Sequence, residues 1–342
     1  MSKKKIKINF LDFWPDLDKE NNIFTDILKK HFEVEISDEP DFLFVTYMTA
    51  ARTPYLYTEY DCVRILVSWD ALYPDLNVFD YAITNFNVQC NDRCLWFPVG
   101  FATLDRNDVV SHRHNRIPAD LLATKTEFCD FIYSRGNDIG QWRDKAFDRF
   151  SQYKKLLSVG SYRNNMEDGA RVTMAEKSKY QHKCKFTIAF EGMSEPGFIS
   201  EKIMDAFAAN TIPVYVGHKE TVDRVFNPNS YINVADYDWD MERVLQEVIR
   251  LDNDDEAYLS KLREPVLLDE NYLVSMHDKL EQFLVNICSQ DVEKAYRRLK
   301  YYQPKTHEMQ LNRYYRFRTR YKPLYWAVVV LEKLRDRFIG KK

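Results

Sequence analysis

The 342-residue chain lacks the two glycine-rich fingerprints common in nucleotide-binding α/β proteins. No Gly-x-Gly-x-x-Gly occurs, which argues against dinucleotide binding, and no Gly-x4-Gly-Lys-Ser/Thr, which argues against P-loop phosphoryl transfer. Long apolar runs are missing too. Leu324 to Leu331, the longest late one, is eight residues and cannot span a bilayer. The start, Met-Ser-Lys-Lys-Lys-Ile-Lys-Ile-Asn-Phe, has no apolar h-region and soon meets acidic residues, so no signal peptide is expected. Six cysteines (Cys62, Cys90, Cys94, Cys129, Cys184, Cys288) are scattered, the ordinary usage of a reducing compartment. Metal patterns are weak. Cys90-x3-Cys94 has no second pair, His112-Arg113-His114 has no ligand partners at suitable spacing, and Asp236-Tyr237-Asp238 fits a solvated loop better than a cation site. No metal and no other cofactor is expected.

What the chain has in quantity is apolar and aromatic surface: 45% of its residues are hydrophobic and 15% aromatic. That suits a globular, enzyme-sized protein, and the length accommodates two domains. Charge is segregated. The net −3 divides into 15 Lys/Arg against 3 Asp/Glu over residues 294–342, and 34 against 49 over the rest. A basic tail follows an acidic body.

Short apolar segments alternate with helical or loop segments. Strands are expected at Ile6–Leu11, Val34–Ile36, Phe42–Val45, Ile65–Val67, Phe79–Ile83 and Leu95–Phe97, with a helix over Asn22–Lys30. Residues 100–125 are polar and irregular and read as a linker. A second α/β run opens at Phe128–Ser134. It continues through a helix over Gly140–Tyr153 and a strand at Leu156–Gly160, and ends in helices to Cys288. The expected division is 1–120, 121–290 and a tail over 291–342.

The second run is organised around Lys185 to Phe207. Phe186–Phe190 reads as a buried strand and the next loop carries Pro196-Gly197. A helix then opens at Ser200, an N-cap residue, with Ile203, Met204 and Phe207 as its apolar stripe. Ile212–Gly217 gives the following strand, which completes a βαβ unit. Ligands of open α/β sheets bind outside the carboxyl ends of such strands. Lys202 stands in the first helical turn, where the macrodipole disfavours a cation. The same helix end offers backbone N–H groups to an anion, so a lysine there fits a docked di- or triphosphate. These residues alone also fit a surface Glu201–Lys202 pair on an ordinary helix.

The array Phe190-Glu191-x6-Phe198-x2-Glu201-Lys202, followed by Ile212-Pro213-Val214-Tyr215-Val216-Gly217, resembles the signature of the family 10 glycosyltransferases. These are the inverting α-1,3/4-fucosyltransferases that use GDP-fucose. Asp12-Phe13-Trp14-Pro15, Asn77 to Ile83, Ser151 to Asn165 and Phe226 to Val234 are similar too, in the same order, so the resemblance covers most of residues 5–240. It implies an α/β fold of GT-B type. Two Rossmann-like domains would face a cleft, the first for the acceptor and the second for the nucleotide sugar, followed by a C-terminal helical tail.

Carried over residue by residue, the resemblance places Lys202 and Arg143 on the diphosphate, neutralising charge that grows on the GDP leaving group. Glu201 would accept hydrogen bonds from ribose or fucose hydroxyls, and Phe198 would lie beside the nucleotide. Tyr162 and Asn164 belong to the same donor site, and Glu191 would hold that site together. Arg143 by itself also fits a solvated helix residue beside Asp144. Inversion needs a carboxylate to take the acceptor proton, a glutamate in the family. Counting back from Phe79 reaches Asp70 at that position. Aspartate is one methylene shorter, and a displacement of ~1 Å costs about a hundredfold in rate. A cap or turn aspartate is the other reading of Asp70. Gly192 is a second departure, replacing the family's asparagine. Acceptor contacts are expected from Trp14, Asp70 and Tyr73 and from the loop at Tyr47–Thr53.

The tail alternates basic and aromatic residues from Tyr296 to Lys322, with Trp326, Val329, Val330, Lys333, Leu334 and Arg337 beyond. Such a segment can lie in an anionic bilayer interface, as bacterial members of the family often do, or form a self-packed helical extension. The acidic body opposes nucleic-acid binding. A cytoplasmic protein, peripheral on the inner face of the membrane, is expected. The expected activity is metal-independent, inverting α-1,3 transfer of L-fucose from GDP-β-L-fucose to a GlcNAc or Glc hydroxyl of N-acetyllactosamine- or lactose-type glycans. Gly192 and Asp70 keep two alternatives open. One is a same-fold transferase with another GDP-sugar or an α-1,4 linkage; the other is a catalytically weak nucleotide-sugar or glycan-binding protein.

Overall fold

A computed structural model describes residues 3–46, 55–70, 72–136, 139–166, 169 and 172–339. The chain forms two compact units: Met1–Thr84 with Val88–Leu95 and Leu280–Lys342, and Asn85–Asn87 with Trp96–Lys279. This division differs from the one expected, because the last 60 or so residues pack with the first unit.

The first unit contains β1 (Lys5–Leu11), α1 (Ile23–His31), β2 (Glu33–Ile36), β3 (Phe42–Val45), β4 (Val63–Ser68), β5 (Tyr81–Thr84) and β6 (Cys94–Trp96), in the sheet order β2-β1-β3-β4-β5-β6. The pairs from β2 to β5 are parallel. β3 and β4 are buried along their whole length, as uninterrupted runs such as Phe42-Leu43-Phe44-Val45 require in a parallel sheet covered on both faces. Asn22 caps α1, accepting from the N–H groups of Phe24 and Thr25 at 3.1 Å.

The second unit holds α2 (Leu104–Ser111), α3 (Leu121–Thr124), β7 (Glu127–Asp130), α4 (Trp142–Phe150), α5 (Met174–Gln181), β8 (Cys184–Phe190), α6 (Glu201–Ala208), β9 (Ile212–Val216), α7 (Lys219–Val222), β10 (Ile232–Asn233), α8 (Met241–Asp252) and α9 (Asp255–Leu262). Its sheet is parallel, in the order β10-β9-β8-β7, and Leu157 bridges Asp130 on the other edge of β7. With that bridge counted, both units repeat the doubly wound order 2-1-3-4-5, whose switch point lies between the first and third strands. The strand expected at Leu156–Gly160 shrinks to this bridge. The side chain of Asn165 accepts the Ser158 N–H at 3.0 Å and donates to the Leu156 carbonyl at 2.7 Å, closing the segment into a loop.

Residues 100–125 are not a linker. Phe101, Val110 and Leu121 are buried in the second unit. Arg113 is also buried, its guanidinium 4.9 Å from the Phe207 ring centre and donating to the Thr211 carbonyl at 3.2 Å. The polar composition concealed short helices that bury apolar residues and the stem of Arg113.

α10 (Tyr272–Cys288) leads to α11 (Val292–Ala295), α12 (Tyr302–Arg320) and α13 (Lys322–Ile339). The root of the tail is clamped in the first unit. Buried Asp80 accepts the N–H groups of Arg64 at 2.7 Å, Arg297 at 2.7 Å and Arg298 at 2.9 Å, and pairs with the Arg298 guanidinium. α12 packs on the same unit: Glu308 pairs with buried Arg64 at 2.6 Å, His307 with Asp75 at 2.8 Å, and Arg316 with Glu59 at 2.9 Å. α13 exposes Leu324, Trp326, Val330, Leu331 and Leu334. Among the described residues no helix is long and apolar enough to cross a membrane.

Candidate active site

In the second unit the site forms at the switch point, beyond the carboxyl ends of β7 and β8. Tyr133 bridges the two strands: its hydroxyl donates to the Ile188 carbonyl and accepts from the Phe190 N–H, both at 2.7 Å. The Arg143 guanidinium, from α4, lies 4.3 Å from the Tyr133 ring centre and donates to the carbonyls of Phe190 at 3.2 Å and Arg135 at 3.1 Å. Arg143 is only 6% exposed, so it is not the solvated helix residue that its neighbour Asp144 suggested.

Glu191 follows β8 and is buried. It accepts the Ser200 N–H on Oε1 at 2.8 Å and the Ser200 hydroxyl on Oε2 at 2.6 Å, with the Tyr215 hydroxyl 3.4 Å from Oε1. Burial pushes its carboxyl up, against the pull of Lys202 and Ser200. Ser200 caps α6, as its position in the sequence predicts, accepting from the Lys202 N–H at 3.4 Å and from Lys202 Nζ at 3.0 Å. Lys202 Nζ stands 3.6 Å from Glu191 and 3.5 Å from Glu201. Burial alone would lower its pKa, but these two carboxylates outweigh it and hold the ammonium charged. Burial likewise opposes ionisation of Glu201, yet Lys202, Lys177 and Arg106 bring its pKa down to about 2. One turn on, Asp205 fixes α6 through Arg106 at 2.6 Å and Lys177 at 2.9 Å.

The loop between Glu191 and Ser200 is tightly held. Gly197 has φ +94° and its N–H donates to Thr221 Oγ1 at 2.8 Å; a Cβ there would stand 2.3 Å from the Asn87 nitrogen. Phe198 packs against Phe86, ring centres 6.0 Å apart. Gly192 differs: a Cβ there would meet only Arg143 Nη2, at 3.7 Å. Tyr162 donates to Asp144 at 2.7 Å, and Asn164 accepts the Met166 N–H at 3.0 Å while donating to the Gly160 carbonyl at 2.8 Å, so both shape the loop beside α4. The structure thus joins Arg143, Glu191, Glu201 and Lys202 by direct or shared contacts. It adds Tyr133, Ser200, Tyr215, Lys177, Asp205 and Arg106, of which only Ser200 carried a sequence signal.

In the first unit, Asp70 is exposed two residues beyond the carboxyl end of β4, and its carbonyl accepts the Leu72 N–H at 2.8 Å. Trp14 follows β1 at the same sheet edge. Its ring lies 6.0 Å from that of Trp69, which stacks on Phe24 at 5.7 Å. Trp69 was not foreseen as a site residue. Tyr73 is exposed on the loop after Asp70, while Tyr47–Thr53 lies outside the described residues. Asp236 and Asp238 pair with Lys219 and Arg243 respectively.

The family profile described as "Alpha-(1,3)-fucosyltransferase FucT N-terminal domain" matches residues 8–102, and "Glycosyltransferase family 10 (fucosyltransferase) C-term" matches residues 122–304. The alpha-(1,3)-fucosyltransferase FucT of Helicobacter pylori is 26% identical over 295 residues, covering 76% of this chain and 60% of the relative. A putative fucosyltransferase of Acanthamoeba polyphaga mimivirus is 26% identical over 238 residues, covering 66% and 37%. The chain therefore spans less than two thirds of the length of either relative. A crystal structure of an alpha1,3-fucosyltransferase with GDP-fucose is alike in fold, with TM-score 0.64 at 22% identity, covering 83% of this chain and 91% of that one. The fold is the GT-B type, built from two Rossmann-like α/β units. Because the two profiles match in order across both α/β halves, and the second alone spans more than half of the residues, the chain belongs to glycosyltransferase family 10 (fucosyltransferase).

Proposed function

We propose that the chain is an inverting α-1,3-fucosyltransferase acting from GDP-β-L-fucose on a GlcNAc or Glc hydroxyl of an N-acetyllactosamine- or lactose-type glycan. One observation carries this: a protonated lysine at the opening of α6, between two carboxylates, beyond the carboxyl end of β8. Lys202 makes its shortest contact with a neutral hydroxyl, at 3.0 Å, and its ion pairs at 3.5–3.6 Å are longer than charge-assisted hydrogen bonds. Its donors therefore remain available to an arriving diphosphate. Arg143 and the α6 N-terminus add positive potential to the leaving group as the glycosidic bond breaks. Glu201, an acceptor at any working pH, would take sugar or ribose hydroxyls. Asp70 would remove the acceptor proton as the hydroxyl attacks the anomeric carbon from the face opposite GDP. Trp14 and Trp69 offer the apolar ring surface on which a pyranose stacks. A similar fold bound to GDP-fucose, and relatives named as fucosyltransferases, support the donor assignment.

Lys202→Ala tests this reading. We expect kcat/KM for GDP-fucose to fall by about two to three orders of magnitude without loss of fold. Unchanged turnover would reject it. Gly192 favours a second reading, another GDP-sugar, since its Cβ position beside Arg143 is open. A donor panel followed by GDP release separates the two: turnover with GDP-mannose and none with GDP-fucose would establish the second.

The apolar residues of α13 and its basic neighbours further fit peripheral contact with an anionic membrane on its cytoplasmic face. Equal binding to phosphatidylserine vesicles with and without α13 would remove this proposal.

A further inference from the structure

Behind Lys202 the second unit encloses a small cavity lined by Asp130, Tyr133, Lys177, Gln181, Thr187 and Lys202, among others. Asp130 ends β7 and is 1% exposed, and its Oδ2 accepts from the Thr187 hydroxyl at 2.5 Å. Its Oδ1 is buried and faces the Gln181 side-chain amide, which lowers its pKa but lies outside ordinary hydrogen-bonding geometry. Charged and titratable groups face Asp130 from each packed element. Lys177, with the neutral Gln181 amide, comes from α5, Lys125 from the approach to β7, and Lys202 from α6; the Cys129 and Cys184 thiols and the Tyr133 phenol complete the set. The cations are engaged elsewhere. Lys125 Nζ donates to the carbonyls of His182 at 3.0 Å and Ala209 at 2.9 Å, and Lys177 pairs with Asp205 at 2.9 Å. Asp130 is thus a buried carboxyl in a polar cavity, with no ion pair among the described residues.

The surroundings of Lys202 are nearly balanced in charge when Asp130 is ionised. Lys202, Lys177, Lys125, Arg143 and Arg106 stand against Glu191, Glu201, Asp205 and Asp130, one positive charge in excess. An incoming diphosphate tips that balance towards the negative, and Asp130 is the carboxylate among them with no ion pair among the described residues and with a small polar cavity beside it. We propose that Asp130 is a positioning residue for the donor, taking up a proton from solvent as the diphosphate docks and so removing one negative charge from behind Lys202. Burial pushes the Asp130 carboxyl up to about 7, against Thr187, Lys177, Lys125 and Gln181, so the exchange falls at neutral pH. The inference rests on the donor reading above.

The test is calorimetric titration of the intact chain with GDP-fucose, without acceptor, in buffers of different ionisation enthalpy. GDP-fucose is the probe because its diphosphate is esterified at both ends and keeps its charge across neutral pH, unlike that of GDP. Wild type should take up a fraction of a proton near pH 7, and should bind roughly tenfold more tightly at pH 6 than at pH 9. Asp130→Asn should abolish the uptake near pH 7 and flatten the change in affinity between pH 6 and pH 7. Binding without proton uptake, or uptake unchanged in the variant, would overturn the proposal. Should the variant not fold, the Asp130 carboxyl resonance of wild type decides: a titration midpoint that does not rise on binding has the same consequence. Absence of any GDP-fucose binding would instead overturn the donor reading itself.

Discussion

Ser200 holds Glu191 twice, its N–H on one carboxylate oxygen at 2.8 Å and its hydroxyl on the other at 2.6 Å. This joins the end of β8 to the cap of α6, and so fixes where Lys202 stands relative to Arg143. Glu191→Ala leaves a buried N–H and hydroxyl without their acceptor, at a cost of about 1–3 kcal/mol. Ser200→Ala removes a cap worth ~1 kcal/mol and one of the two bonds. We expect both variants to melt earlier, Glu191→Ala by more, and both to raise the donor KM. Thermal melts paired with donor kinetics check this, and an unshifted melt for Glu191→Ala would contradict it.

Asp70 stands at the carboxyl edge of the first sheet, beside Trp69. Asp70→Asn keeps the size and removes the base, so kcat should fall by about two orders of magnitude or more while GDP-fucose affinity is unchanged. Transfer at the wild-type rate would show that Asp70 is a turn residue and no base.

The tail divides into two parts with different consequences. Deleting residues 322–342 removes α13 alone and should leave the melting temperature within a few degrees while lowering vesicle binding. A deletion from Tyr296 also removes Arg298 from buried Asp80 and Glu308 from buried Arg64. Breaking one such pair costs about 3–5 kcal/mol, so this chain should fail to fold its first unit. Circular dichroism of the two truncations distinguishes them.

Glu201 gives a pH signature of definite sign. Its folded pKa of about 2 lies below the ordinary glutamate value, so its ionised form stabilises the fold above that ordinary value and the contribution disappears as pH falls through the folded one. The melting-temperature difference between wild type and Glu201→Gln should hold steady above about pH 5 and shrink towards pH 2. A difference that persists unchanged at pH 3 would contradict the ion-pair origin.

Much of this was legible in the sequence where local chemistry decides. Ser200 is the N-cap it resembles, the runs at Phe42–Val45 and Phe186–Phe190 are buried strands, and Asn22 opens α1. What was hidden depends on contacts distant in sequence. Tyr133 looks like one more strand aromatic, and only the parting of β7 and β8 gives its hydroxyl two backbone partners. Arg113 reads as a surface charge in a polar stretch, yet it is buried against Phe207. Asp80 is separated from Arg298 by more than two hundred residues, so no local pattern could disclose the clamp that makes the root of the tail part of the first unit.

The most direct test is a crystal structure of the chain with GDP-fucose. The diphosphate should lie within ion-pair distance of Lys202 and Arg143, at the N-terminus of α6. A nucleotide bound elsewhere, with Lys202 still paired only to Glu191 and Glu201, would contradict the proposed donor site.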